Sequence, residues 1–213
     1  MKIIKNSGWF ILVVLSHVII YGFVQSMSVI ALGEGGPVYA ILPLYFLLAG
    51  VYSYLIYRWY KRVQVKIEST VLNRYSWLPV LVWGSIIFIQ FFLPNDPSVS
   101  EQAVIQLVVR QPILTFFMVV VFAPLTEELV YRGMMARYLF PEQKTIQQTI
   151  LFLLISSVIF ALLHLPNSFQ QFFIYTCLGM SLGLAYISQK GLFYSISLHA
   201  VNNLIGFLMI IML

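Results

Sequence analysis

Thr126-Glu127-Glu128-Leu129-Val130-Tyr131-Arg132-Gly133 places two adjacent carboxylates and an arginine in a chain that has only seven acidic residues. The run from Pro112 to Val130 that contains the pair is apolar enough to enter a bilayer. An ionisable group within such a run costs about 2.5–3.5 kcal/mol on insertion scales, so its presence points to function by default. On a helix, Glu128 and Arg132 stand i and i+4 with the acid toward the N-terminus, the better orientation for an ion pair. Glu127 is rotated about 100° from that pair and cannot share the arginine equally. One carboxylate is neutralised and the other is left over. A carboxyl without its own cation in a low-dielectric setting suits a general base, which makes Glu127 the candidate. The same three charges would also serve as an ion-pair cluster locking two helices, and this stretch alone leaves both readings open.

Composition narrows the setting. The chain has 213 residues, 61% hydrophobic and 9% charged, with a mean hydropathy of +0.91; a soluble domain would carry about 25% charged residues. A membrane β-barrel would show alternating segments of about ten residues, and the apolar runs here are about twice that length. The expected fold is all-α, a polytopic bundle of about seven transmembrane helices. The single cysteine, Cys177, excludes an intrachain disulfide and sits inside an apolar run, as a packing residue would. The net charge of +5 could suggest nucleic acid, but the placement of the cations argues for membrane orientation instead.

Taken in order, Lys2 and Lys5 precede an apolar run from Gly8 to Leu32, too long for a cleavable signal and read as a retained first span. Gly33-Glu34-Gly35-Gly36-Pro37 has the composition of a turn. The second span covers Val38 to Tyr57, followed by the most basic loop, from Arg58-Trp59-Tyr60-Lys61-Arg62 through Lys66 to Arg74. A third span covers Trp77 to Leu93 and stops at Pro94-Asn95-Asp96-Pro97. Ser98 to Gln111 alternates polar and apolar residues as a short helix on the outer surface would. The fourth span runs from Pro112 to Phe140-Pro141, with Pro124 tending to kink it where a neighbour can satisfy the freed carbonyl. The fifth runs from Ile150 to Leu165, the sixth from Phe169 to Ser188 with Gly179 and Gly183 at small-xxx-small spacing, and the seventh from Leu192 to the end. A cytoplasmic N-terminus then puts eleven of the twelve Lys and Arg on the inner side and leaves only Arg110 outside. Residues 1–111 form an N-terminal set of three spans and the surface segment, and residues 112–213 a helical core, within one integral membrane domain.

Three histidines occur. His17 lies alone in the first span and reads as a packing or interhelical hydrogen-bonding residue. His164 closes Phe160-Ala161-Leu162-Leu163-His164, and His199 opens His199-Ala200-Val201-Asn202-Asn203. His199 and Asn203, at i and i+4, can point at one spot, whereas Asn202 must face elsewhere.

Glu-Glu-x-x-x-Arg, Phe-x-x-x-His and His-x-x-x-Asn, in that order on successive hydrophobic segments, resemble the motifs of the CPBP family of intramembrane proteases, the CAAX proteases and bacteriocin-processing enzymes also called the Abi family. The resemblance covers Pro112 to Leu213, and its motifs are complete in Glu127, Glu128, Arg132, Phe160, His164, His199 and Asn203. It implies hydrolysis of a peptide bond within the membrane. Glu127 and His164 would hold and deprotonate a water, and His199 and Asn203 would donate to the oxyanion. Glu128 with Arg132 would fix the Glu127 helix, and Phe160 would wall the substrate site. The implied partners are a hydrophobic or lipidated peptide and the lipid bilayer, in a bacterial cytoplasmic membrane.

The family is commonly labelled metalloprotease, and Glu127, His164 and His199 would be the ligand set of a catalytic zinc. That version leaves no carboxylate to take the proton once Glu128 is paired with Arg132, so a glutamate-activated water without obligatory metal is the expectation. Two other readings share the polar cluster: a non-hydrolytic bacteriocin-immunity or signalling protein that binds a peptide, and a proton-coupled transporter, against which Asn203 and the lack of visible repeats argue. One difficulty is geometric. With these span ends, Glu127 lies about 22 Å inward and His164 about 21 Å outward, which would keep them apart in a core of about 30 Å.

Overall fold

The computed structural model describes residues 2–30, 38–63, 68–69, 75–93, 97–188 and 191–212. The Gly33–Pro37 turn, most of the stretch from Lys66 to Arg74, the Pro94–Asp96 stop and Gln189–Lys190 lie outside the described residues. The described chain is a bundle of eight helices. α1 runs as Lys2–Ser16, a π-helical turn His17–Tyr21 and Gly22–Ile30. It is followed by α2 (Val38–Arg62), α3 (Leu78–Gln90) and α4 (Val99–Arg110). α5 is continuous from Pro112 to Tyr138, with π-helical segments at Phe117–Phe122 and Leu129–Met134. α6 (Ile146–Leu163), α7 (Phe169–Ser188) and α8 (Leu192–Met212) complete it. One short parallel pairing, Glu68–Ser69 (β1) with Glu142–Gln143 (β2), ties the loop after α2 to the loop after α5.

Among the described residues six of the eight helices are long and apolar enough to cross a membrane; α4 was expected to lie on the surface, and of the seven expected spans α3 is the exception. Its 13 residues rise about 20 Å against a hydrocarbon core of about 30 Å, so the third expected span is shorter than its apolar run. Pro79 at the start of α3 fixes the first turn there. The phenol of Tyr194 on α8 donates to Ser76 O at 2.8 Å, which seats the entry to α3 beside the start of α8, and α3 lies against α7 along its length.

α4 forms where the mixed pattern from Ser98 suggested, begun by a capping box in which Ser98 Oγ accepts from Glu101 N and Glu101 Oε2 accepts from Ser98 N. α6 starts at Ile146, four residues before the expected Ile150, because Thr145 and Gln148 form a second capping box that carries the polar Gln147, Gln148 and Thr149 into the helix.

α7 is the innermost span, 72% buried, and packs on α3, α6 and α8. Lipid tails are as apolar as leucine, so helices in a membrane associate through close van der Waals fit rather than through exclusion from water. Gly179 supplies that fit. A Cβ there would lie 2.9 Å from Ser157 Cα on α6, and one at Gly183 would meet Leu153 at 2.8 Å. The small-xxx-small pair is therefore a helix contact, as its spacing suggested. A cluster of Val130, Tyr131, Met134 and Met135 on α5 with Tyr52 and Ile56 on α2, Val13 and Tyr21 on α1 and Phe152 on α6 fixes α5 in the bundle.

Candidate active site

The site lies where α5, α6 and α8 meet beneath α7. The local chain explains why α5 can present its charges there. Leaving α-helical register in two places rotates the faces it presents, and π segments inside helices occur frequently at functional sites. The residue closing the first segment, Ala123, bonds five residues back to Met118 O. Pro124 follows with no N–H to give. In the same register its bond would have gone to Val119 O, and that carbonyl accepts instead from Asn203 Nδ2 at 2.8 Å. The neighbour that the proline required is thus Asn203.

Glu128 is fully buried and engaged on every side. Its Oε1 lies 3.1 Å from an Arg132 guanidinium nitrogen and accepts from His199 Nδ1 at 3.0 Å. Its Oε2 accepts from the Ser195 hydroxyl, which also lies 3.1 Å from Leu182 O. Arg132 is equally buried, donates to Gly179 O at 3.1 Å and sits over the Phe160 ring at 4.6 Å. Glycine at 179 therefore does two things: it admits α6 and leaves its carbonyl open to the arginine. The i and i+4 ion pair expected from sequence is present, but Glu128 also reaches across to α8.

His199 joins the two carboxylates. A carboxylate only accepts hydrogen bonds, so the bond to Glu128 assigns a proton to Nδ1 and turns Nε2 the other way. Nε2 faces Glu127 Oε2 at 3.9 Å. Glu127 is 20% exposed, against 0% for Glu128; the left-over carboxylate is the accessible one. His164 ends α6 with Nδ1 2.8 Å from Phe160 O, an acceptor, so its proton is on Nδ1 and Nε2 carries the lone pair. Phe160, 3% exposed, bridges the two histidines, with ring centroids 4.3 Å from His164 and 5.5 Å from His199. Glu127 and His164 share no hydrogen bond or ion pair; what links their ends of the site is the Phe160 ring, which meets His164, His199 and Arg132, while α5, at 27 residues about 40 Å long, exceeds the core and packs its first turn on α4.

The zinc set is a different matter. Among the described residues no three His, Cys, Asp or Glu side chains stand together as a metal site. Each histidine has Nδ1 occupied, His199 by Glu128 and His164 by Phe160 O, and keeps Nε2 for a ligand, an orientation that metal-ligating histidines also use. What does not fit is the placement: Glu127, His164 and His199 do not come together as a zinc ligand set.

Several neighbours have no place in the three motifs. Ser195 stands one helical turn before His199, an i and i+4 relation that could have flagged it. Tyr175, Ser98 and Ser100, which surround His164, carry no sequence signal. Asn202 faces away from the carboxylates, accepting from Trp83 Nε1 at 3.0 Å on α3. His17 makes the interhelical contact expected of it, Nδ1 to Tyr52 Oη at 3.3 Å, stacked on Tyr21.

Residues 109–205 match the family described as type II CAAX prenyl endopeptidase Rce1-like. The segment that carries the three motifs is similar to CAAX proteases, in agreement with the resemblance read from those motifs. Over 131 residues, 61% of this chain, the sequence is 33% identical to the membrane-embedded CAAX protease MroQ of Staphylococcus aureus strain USA300, and the match spans 51% of that relative. No solved structure matches the chain.

Proposed function

We propose that this protein is an intramembrane endopeptidase that hydrolyses a peptide bond in a membrane-associated, lipidated or hydrophobic peptide, with Glu127 activating the water. The observation that carries the reading is the asymmetry of the two carboxylates. Glu128 is wholly buried and held by Arg132, His199 and Ser195, whereas Glu127, 20% exposed, has Oε2 3.9 Å from His199 Nε2, beyond a direct hydrogen bond and within the span of one bridging water.

In this reading Glu127 takes one proton from the water as its oxygen bonds to the carbonyl carbon. His164 Nε2 accepts the second hydrogen and orients the attack. The tetrahedral oxyanion is met by the second amide hydrogen of Asn203 Nδ2, the first being given to Val119 O, and by His199 when both its ring nitrogens are protonated. One such donor is typically worth about 2.7–4 kcal/mol. The C–N bond then breaks, and Glu127 returns its proton to the leaving amine. Glu128, Arg132 and Ser195 hold the His199 ring and the α5 face in place.

The family description and the relative's name support a lipid-modified peptide as the substrate class. The bacterial relative and the basic bias of one face support a cytoplasmic membrane with the N-terminus inside. The test is cleavage of a prenylated or hydrophobic peptide by the purified protein in water enriched in oxygen-18, with and without chelator. Product carrying one heavy oxygen in its new carboxylate, formed at an undiminished rate with chelator, is expected. No cleaved product identifies a binding protein, and chelator-sensitive cleavage replaces the bare carboxylate with a metal.

A further inference from the structure

His164 is held by more than its own helix. The last carbonyls of a helix lack intrahelical donors, and at the end of α6 the His164 carbonyl accepts from Ser100 Oγ at 2.7 Å. The next residue, Leu165, has φ 48°, a left-handed conformation that disfavours side chains other than glycine and persists where the surroundings impose it. The imidazole itself lies between contributions from two helices: the Phe160 ring at 4.3 Å and the Tyr175 ring of α7 at 4.7 Å, tilted 30°.

Tyr175 is 8% exposed, and its hydroxyl pairs with Ser98 Oγ at 3.1 Å. Ser98 is wholly buried, caps α4 and also contacts Ser100 Oγ at 3.0 Å. A closed circuit results. The first turn of the surface helix holds the backbone of His164 through Ser100 and the ring beside it through Ser98 and Tyr175. For packing alone a phenylalanine would serve at 175; the phenol is explained by its anchor on α4.

We infer that Tyr175, seated by Ser98, is a positioning residue for His164, and that the first turn of α4 is by this means a working part of the site. The inference rests on the role given to His164 above. An imidazole turned about its Cβ–Cγ bond puts Cδ2 where Nδ1 stood and Cε1 where Nε2 stood, so it gives up the bond to Phe160 O that fixes its tautomer and presents a carbon to the water. Misplacement of a catalytic group by about 1 Å can cost about a hundredfold in rate, so an anchored neighbour that blocks the turn matters to the chemistry.

The experiment compares Tyr175→Phe, Tyr175→Leu, Ser98→Gly and the double Tyr175→Phe/Ser98→Gly in the full chain; glycine keeps most of the capping preference at 98. Three quantities are read: kcat and KM on the cleaved peptide, the thermal midpoint, and the ring-nitrogen NMR shifts of His164. Tyr175→Leu is expected to lower kcat by about a hundredfold, with KM little changed, and to populate both His164 tautomers where the parent has one. Tyr175→Phe and Ser98→Gly should each lower kcat to a smaller extent, and the double variant by less than the product of the two, since the Tyr175–Ser98 bond is lost in all three while Ser98 also caps α4 and the phenol also meets Glu101 and Ser100. Parental kcat in Tyr175→Leu overturns the inference, as do Tyr175→Phe and Ser98→Gly losses that multiply. If Tyr175→Leu does not fold, the two milder variants and their double decide. A parent that cleaves nothing defeats the proteolytic reading instead, and the inference then stands or falls on whether Tyr175→Leu releases the second tautomer.

Discussion

Asn203 on α8 donates from Nδ2 to the carbonyl of Val119 on α5 at 2.8 Å, five residues before Pro124. The family motif and the proline are two halves of one hydrogen bond, with the side chain replacing the N–H that proline lacks.

Asn203→Ala in the parent should therefore cost about 1–3 kcal/mol, the penalty of leaving the part-buried Val119 carbonyl unsatisfied. In a Pro124→Ala background, where residue 124 regains an N–H, the same change should cost distinctly less. Thermal unfolding of the four proteins in detergent measures this coupling, and equal costs in both backgrounds would refute the pairing.

Glu128→Gln removes the charge that faces a wholly buried Arg132. Breaking one side of a buried pair typically costs about 3–5 kcal/mol because the other charge is left uncompensated. Glu128→Gln should lose stability on that scale. Adding Arg132→Met should restore part of it without restoring cleavage, since His199 has still lost its carboxylate. The thermal midpoints of the single and double variants check this.

His164 lies one residue beyond the spanning stretch of α6. Burial lowers the pKa of its imidazole from the ordinary 6.5 to about 4, opposed by its bond to Phe160 O and by Glu101 and aided by the charges of His199 and Arg132. The ring therefore stays neutral, with Nε2 free to accept, from neutral pH down to about 4. An unfolded imidazole takes its proton near 6.5, so between 6.5 and about 4 the unfolded state binds more protons and the His164 contribution to stability falls as the pH falls. An NMR titration of His164 should show its midpoint near 4, and a midpoint near 6.5 would mean that the ring is not enclosed as described.

What could be read from the sequence followed the cost of placing charge in lipid. Glu127, Glu128, Arg132, His164, His199 and Asn203 stood out because polar groups are rare in such spans, and helical periodicity placed Glu128 against Arg132 correctly. Periodicity gives a face but not a partner, so the reach of Glu128 to His199 and of Asn203 to Val119 O could not be read. The π segments of α5 carry no composition signal. Nor does the stop of α3 at 13 residues, since Phe91, Phe92 and Leu93 continue its apolar run beyond the helix. Tyr175 resembled any other core aromatic, and only the position of Ser98 gives its hydroxyl a purpose.

The most direct test of the account is single-turnover cleavage by Glu127→Gln beside the parent, on the same peptide, with the thermal midpoints of both. Loss of a general base predicts a fall of about 10²–10⁴ in rate at an unchanged midpoint. A Glu127→Gln protein that cleaves at the parental rate would contradict the account outright.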